Sequence, residues 1–134
     1  MFRIFTDGGS RGNPGPSGIG VVVFNEEGKR IAEISRYIGI ATNNVAEYLA
    51  IIYALQEAVH LKIKTLTLHV DSQLAAKQLK GEYKVKDQKI RRFFDLALNL
   101  FREFDKIEIK EIPREENKEA DILVNKAINL KALV

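Results

Sequence analysis

Apolar residues in this chain recur at two spacings, and the switches between them divide it into elements. Phe2-Arg3-Ile4-Phe5-Thr6 reads as a short strand that ends at Asp7. Asp7 to Gly18 is dense in turn formers and reads as a structured loop. Gly20-Val21-Val22-Val23-Phe24 predicts a second strand, Asn25 to Gly28 a turn, and Lys29 to Gly39 an antiparallel partner. In that partner Ile31, Glu33, Ser35 and Tyr37 alternate with Ala32, Ile34, Arg36 and Ile38, which predicts one buried face.

Helical spacing begins after Thr42-Asn43-Asn44, a cap region. Val45, Leu49, Ile52 and Leu55 share a stripe, with Tyr48 and Val59 beside it. Thr65 to Val70 predicts a fourth strand, which leads through Asp71-Ser72 into a short helix containing Leu74, Ala75 and Leu79, closed by Gly81. Asp87 to Phe104 predicts an amphipathic helix with Ile90, Phe93, Phe94, Leu96, Ala97, Leu100 and Phe101 apolar. Lys106 to Ile112 alternates as a fifth strand, and Asn117 opens a terminal helix that reaches about Leu130. This order predicts an α/β fold: a five-stranded mixed sheet with helices on both faces. If the first and fourth strands were neighbours, their C-terminal ends would present Asp7 and Asp71 together.

Composition narrows the class without choosing a function. The 134 residues predict one domain over 1–134, and 46% hydrophobic with 29% charged residues describe a soluble globular chain. The absence of cysteine excludes disulfides, thiolate zinc sites and a cysteine nucleophile, and suits a reducing cytoplasm. The first residues read as a strand rather than a signal peptide or membrane span. A net charge of +3 and a pI near 9.1 fit a polyanionic partner, yet an ordinary soluble surface fits them equally.

Four carboxylates change the picture. Asp7 and Asp71 end apolar runs, whereas Glu47 and Asp121 lie at the starts of helical patterns. Acids that converge repel one another unless something positive lies between them, and a divalent metal is the common answer. Each also has a plainer role: Asp7 as a turn residue, Glu47 and Asp121 as complements to helix dipoles, and Asp71 or Ser72 as an N-cap.

Taken together, the motifs resemble the type 1 ribonuclease H family over nearly the whole chain. The resemblance rests on Thr6-Asp7-Gly8-Gly9-Ser10, Gly12-Asn13-Pro14-Gly15, Thr42-Asn43-Asn44-x-x-Glu47, Asp71-Ser72-Gln73 and Asn117-x-x-Ala120-Asp121, in the family's order. It implies a ribonuclease H-like fold and an endoribonuclease that hydrolyses the RNA strand of RNA–DNA hybrids, leaving 5′-phosphate and 3′-hydroxyl ends. Asp7, Glu47, Asp71 and Asp121 would be the catalytic and metal-binding set for two Mg2+ ions, with Mn2+ as a substitute. Asp7 would bridge the ions, Glu47 and Asp71 would hold the one beside the leaving group, and Asp71 or Asp121 would orient the attacking water. Ser10, Asn13, Asn43, Asn44 and Gln73 resemble the family's minor-groove readers, whose hydroxyl and amide groups meet 2′-hydroxyls. Thr42 and Asn13 would also hold a phosphate of the DNA strand. Taken singly, Asn13 and Asn44 read equally well as turn and cap residues.

The chain departs from the family pattern twice. Many members carry a histidine after the fifth strand, but Ile112 to Asn117 here contains none, and His60 and His69 suit packing. Arg114 is the expected partial replacement: it would steady phosphate charge without carrying protons, unless Glu115 or Glu116 simply pairs with it. Some relatives also insert a basic, tryptophan-rich handle, where this chain has only Gly81 to Asp87 and no tryptophan. Lys80, Lys84, Lys86, Lys89, Arg91 and Arg92 would track a nucleic-acid backbone there, with Phe93 and Phe94 in the core. Two rival functions stand beside the hybrid nuclease: a nuclease of the same scaffold that cuts RNA–RNA duplexes, and a non-catalytic binding module. Retention of all four acids argues against the module. The expected form is a monomer, although the apolar tail Lys131 to Val134 suits packing on the domain or on a second chain.

Overall fold

A computed structural model describes residues 1–133 of the chain; Val134, the end of the apolar tail, lies outside the described residues. Five strands, β1 (Phe2–Ser10), β2 (Gly15–Phe24), β3 (Arg30–Ala41), β4 (Thr65–Val70) and β5 (Lys106–Glu111), form one sheet in the order β3-β2-β1-β4-β5. Strands β1, β2 and β3 pair antiparallel, and β1-β4 and β4-β5 pair parallel, which gives the mixed sheet predicted. The helices are α1 (Asn43–His60), α2 (Gln73–Leu79), α3 (Gln88–Phe101) and α4 (Lys118–Ala132). None of the described helices is long and apolar enough to cross a membrane.

The main departure from expectation lies between Asp7 and Gly18. The sequence suggests a loop there, but β1 continues to Ser10 and β2 begins at Gly15, so only Arg11 to Pro14 turn. The glycines of this stretch serve close approach. A Cβ on Gly8 would fall 2.2 Å from the Ala46 backbone in α1, and one on Gly20 would fall 2.1 Å from the Ala120 carbonyl oxygen in α4. Successive strand residues point to opposite faces, so Gly8 admits α1 on one face while Gly9, Gly18 and Gly20 admit α4 on the other. That arrangement places helices on both faces of the sheet.

Local signals set the helix ends. The Thr42 hydroxyl caps α1 by accepting from the Val45 N–H at 3.3 Å, and Ser72 caps α2 through the Ala75 N–H at 3.2 Å. Asp87 precedes α3 as its N-cap, accepting from Lys89 and Ile90, and α3 stops at Phe101, short of Phe104. Gly81, at φ +80, closes α2 as predicted.

The core packs Ile4, Val21, Val23, Leu66 and Leu68 of the sheet against Tyr48, Ile51 and Leu55 of α1, with Phe93 and Phe94 packed on its edge. The Tyr48 hydroxyl donates to Gln78 Oε1 at 2.6 Å, which ties α1 to α2. In α1, Leu49 is half-buried and Val59 exposed, while Ala50, Ile51, Ala54 and Ala58 are buried, so the core face is displaced and broader than the predicted stripe. In α3 only Ile90 and Ala97 are buried and Leu96 is exposed, so that stripe is narrower. β3 does not present the single buried face expected of it, because α4 covers the side opposite the core. Ala32 and Ile34 pack on the core, whereas the Ser35 hydroxyl turns to donate to the Leu123 carbonyl of α4 at 2.6 Å. In the tail, Leu133 is 83% exposed and does not pack on the domain.

Candidate active site

Parallel pairing aligns Thr6 of β1 with Val70 of β4, so Asp7 and Asp71 emerge side by side. The close approach of α1 at Gly8 adds Glu47 from one helical turn inside that helix. One carboxylate oxygen from each of Asp7, Glu47 and Asp71 lies within 4.8 Å of the others. Asp121, near the start of α4, lines the same cleft of about 590 Å³ but stands outside that tight group of three.

The inner acids are short of positive charge. Asp7 is 6% exposed, and its pKa is raised to about 7, chiefly by burial and then by the charge on Asp71, with hydrogen bonding to Glu47 acting the other way. Glu47 is raised well above the usual carboxylate range, first by burial and then by the charges of Asp7 and Asp71. The Gly8 N–H donates to Glu47 Oε1 at a long 3.4 Å, while the buried Oε2 has no partner among the described residues. An orphaned carboxylate oxygen beside two further carboxylates is a polar arrangement the protein alone does not satisfy. The all-oxygen donor set fits a hard divalent cation, which would complete it.

The outer acids are held by neighbours. Asn117 stands at the N-cap position of α4, but its side chain makes no cap hydrogen bond. At 1% exposure it turns inward, and its Nδ2 donates to the Thr6 carbonyl at 2.8 Å and to Asp71 Oδ2 at 2.9 Å. Asp71 does not cap α2, because Ser72 does. Asp121 Oδ1 lies 3.9 Å from Arg114 Nη2, so Arg114 pairs with Asp121 rather than with Glu115 or Glu116. Asn125, one turn further along α4, donates to the Asp121 carbonyl at 3.1 Å and to Asp121 Oδ2 at 3.5 Å.

The polar set forms a chain of hydrogen bonds from β1 to α1. The Ser10 N–H donates to Asn43 Oδ1 at 2.9 Å, and the Asn43 N–H donates to Asn13 Oδ1 at 3.0 Å. The Ser10 hydroxyl donates to the Ala41 carbonyl at 2.8 Å. Ser10 and Asn43 line the acidic cleft; Asn13, Thr42 and Asn44 line a second cleft of about 280 Å³ together with Lys89. Gln73, exposed at the first position of α2, lines neither. The histidines also stand apart from both clefts. His69 stacks on Phe5 at 4.2 Å with Nδ1 3.2 Å from the Ile4 carbonyl oxygen, and His60 ends α1.

Three residues of the site, Asn117, Asn125 and Arg11, do not emerge as site residues from the sequence. For Asn125 a signal exists, because a residue four after Asp121 shares its helix face. Asn117 stands within the Asn-x-x-Ala-Asp motif, where helix capping gives a sufficient local explanation for it.

Comparison with known proteins agrees with this geometry. The family described as "Reverse transcriptase-like" matches residues 5–127. Ribonuclease HI of Halobacterium salinarum is 42% identical over 125 residues, covering 93% of this chain and 63% of that protein. Its crystal structure as RNase H1 superposes with a TM-score of 0.93 at 41% identity, covering 96% of this chain and 97% of that one. LC11-RNase H1, solved in complex with an RNA/DNA hybrid, superposes at 0.94 with 43% identity over all of both chains. The bifunctional protein Rv2228c of Mycobacterium tuberculosis is 41% identical over 130 residues, 96% of this chain and 36% of its own length. The chain thus spans between about one third and two thirds of these curated relatives.

The sheet order, the helices on both faces and the acids at the ends of the parallel pair define a ribonuclease H-like fold. Within that class, the chain belongs to the ribonuclease H1 family.

Proposed function

We propose that this chain is an endoribonuclease that hydrolyses the RNA strand of RNA–DNA hybrids, with 1–134 acting as one catalytic domain. The observation that carries the reading is the convergence of Asp7, Glu47 and Asp71, with Glu47 Oε2 left buried and unpartnered. Asp7, Glu47, Asp71 and Asp121 would hold two Mg2+ ions, or Mn2+ in their place. Such ions supply water activation and charge neutralisation for phosphodiester hydrolysis. The reaction joins a water oxygen to phosphorus and breaks the bond to the 3′ oxygen, giving 5′-phosphate and 3′-hydroxyl ends.

The chain's own groups have separable tasks in this reading. Asp7, whose carboxylate neighbours those of Glu47 and Asp71, would be the ligand that the ions share. Asn117 holds Asp71 through Oδ2 and so fixes the direction of its other oxygen. Asp121, oriented by Asn125, stands on the outer side, where it would receive the proton of the attacking water. Arg114, 82% exposed and 3.9 Å from Asp121, would steady charge on the phosphate. Asn43 keeps its Nδ2 donor available while Oδ1 is bound to Ser10, which suits contact with a 2′-hydroxyl. All four acids come from one chain, so a monomer carries a complete site.

The test is cleavage of end-labelled RNA–DNA, RNA–RNA and DNA–DNA duplexes with Mg2+, Mn2+ or chelator, using the wild type and Asp7→Asn. Metal-dependent cutting of the hybrid's RNA strand, lost in Asp7→Asn, is expected. Binding without cleavage under either metal would leave a binding module, and cutting confined to RNA–RNA would reassign the substrate.

A further inference from the structure

Two arginines reach Asp121, and only Arg114 does so directly. Arg11, in the turn after β1, reaches it through an amide: its Nη2 donates to Asn125 Oδ1 at 3.1 Å, and Asn125 Nδ2 donates to Asp121. Asn125 lies four residues beyond Asp121, so these groups line up along one face of α4 at the cleft edge. The Arg11 side chain also starts from a fixed base, because its own N–H donates to the Pro16 carbonyl at 2.9 Å.

We propose that Arg11 is a substrate-positioning residue, held over the cleft by Asn125, that takes a backbone phosphate of the cleaved strand next to the scissile one. The inference rests on the hydrolase reading above. It follows from how the guanidinium is held. Arg91 and Arg30 spend their charge on surface carboxylates, Asp95 and Glu33. Among the described residues Arg11 has no carboxylate partner; a neutral amide fixes it and leaves its charge uncompensated. One of its five donors is used, and the side chain is exposed, so an edge with free N–H donors remains for an oxyanion. The position matters because four carboxylates line this cleft and would repel a polyanion. The Asn125 amide joins Arg11 to Asp121, so a strand gripped at Arg11 is registered against the outer acid. Donation from Arg11 polarises the amide and strengthens its hydrogen bond to Asp121.

The experiment is binding of a short RNA–DNA hybrid to the full chain in chelator across a salt series, followed by steady-state cleavage with Mg2+. For Arg11→Ala, affinity should fall by about five-fold and the salt slope by about one, as one phosphate contact is lost. KM should rise more than kcat falls. Arg11→Lys should restore the slope but only part of the affinity. Asn125→Ala should weaken binding and also lower kcat, because Asp121 loses a donor. A salt slope in Arg11→Ala equal to that of the wild type, with only a lower melting temperature, would show a loop staple and overturn the proposal. Wild-type protein that neither binds nor cuts the hybrid would instead overturn the functional reading beneath it.

Discussion

The floor and the wall of the acidic cleft are assembled in opposite ways. At the floor, Asp7 and Glu47 are buried, carry raised pKa values and leave an oxygen without a donor. At the wall, Ser10 and Asn43 line the cleft and join Asn13 of the neighbouring cleft in hydrogen bonds between the end of β1, the β1–β2 turn and the start of α1. The floor is unfavourable for the fold alone, and in the proposed function a bound cation would offset that cost. The wall stabilises the fold while it shapes the cleft. Function and stability therefore oppose each other at the floor and coincide at the wall.

Asp7→Asn should separate the two most sharply. Turnover should drop at least about 1,000-fold, while stability in chelator rises by about 1–3 kcal/mol as repulsion among the acids is relieved. Cleavage and thermal melts read both; a less stable Asp7→Asn would mean that the floor is not strained.

Gly8→Ala attacks the floor through packing. Its Cβ would enter the Ala46 backbone, so a loss of about 3 kcal/mol or more is expected, with α1 and Glu47 displaced. Gly9→Ala meets only a Val124 methyl at 3.3 Å and should lose far less. Similar melting temperatures for the two variants would contradict the tight seating of α1.

The pH dependence has an unusual sign for an acid. Between the unfolded value of 3.8 and about 7, native Asp7 holds a proton that the unfolded chain releases. In chelator, stability should therefore fall as pH rises through this window and level off above it, by an amount on the order of 2 kcal/mol after relaxation. Added Mg2+ should reverse the trend, with a thermal shift that grows as pH passes 7, because the ligand must lose its proton. Stability that climbs over the same range in chelator would rule out a raised Asp7.

The wall should respond in the other direction. Asn43→Ala removes the acceptor for the Ser10 N–H and should lower stability by about 1 kcal/mol as hybrid affinity falls. Unchanged melting with weaker binding would make Asn43 a reader alone. The smallest effect is expected for Arg114→Ala: the side chain is exposed, so in the proposed mechanism its loss should lower turnover and leave the fold unchanged. Turnover equal to wild type across Mg2+ concentrations would remove Arg114 from the mechanism.

Much of this architecture is legible from local pattern. Thr65 to Val70 forms β4 with the bounds its alternation predicts, and Gly81 ends α2 where a left-handed residue is needed. The four acids stand out because each breaks or borders an apolar run, and their motifs carry the family resemblance. The miss at Asp7 to Gly18 has a definite cause. Glycine marks a turn and a close approach with the same letter, and only the helix that arrives distinguishes them. Asn117 is a similar case, since capping and inward donation are equally available to an asparagine before a helix.

Residue chemistry along the chain thus dictates strands, caps and a set of carboxylates, because those depend on alternation and hydrogen bonds within a few residues. The pairing of β1 with β4, the seating of α1 on Gly8 and of α4 on Gly20, and the partners of Asp71 and Asp121 belong to the folded molecule. Apart from Asp121, whose partners Arg114 and Asn125 lie within two helical turns of it, these contacts join residues distant in sequence, as Gly8 and Glu47, 39 positions apart, and Thr6 and Asn117, 111 apart, show. The raised pKa of Asp7 is of the same kind. It arises from burial and from charges brought by β4 and α4, and no local segment contains either.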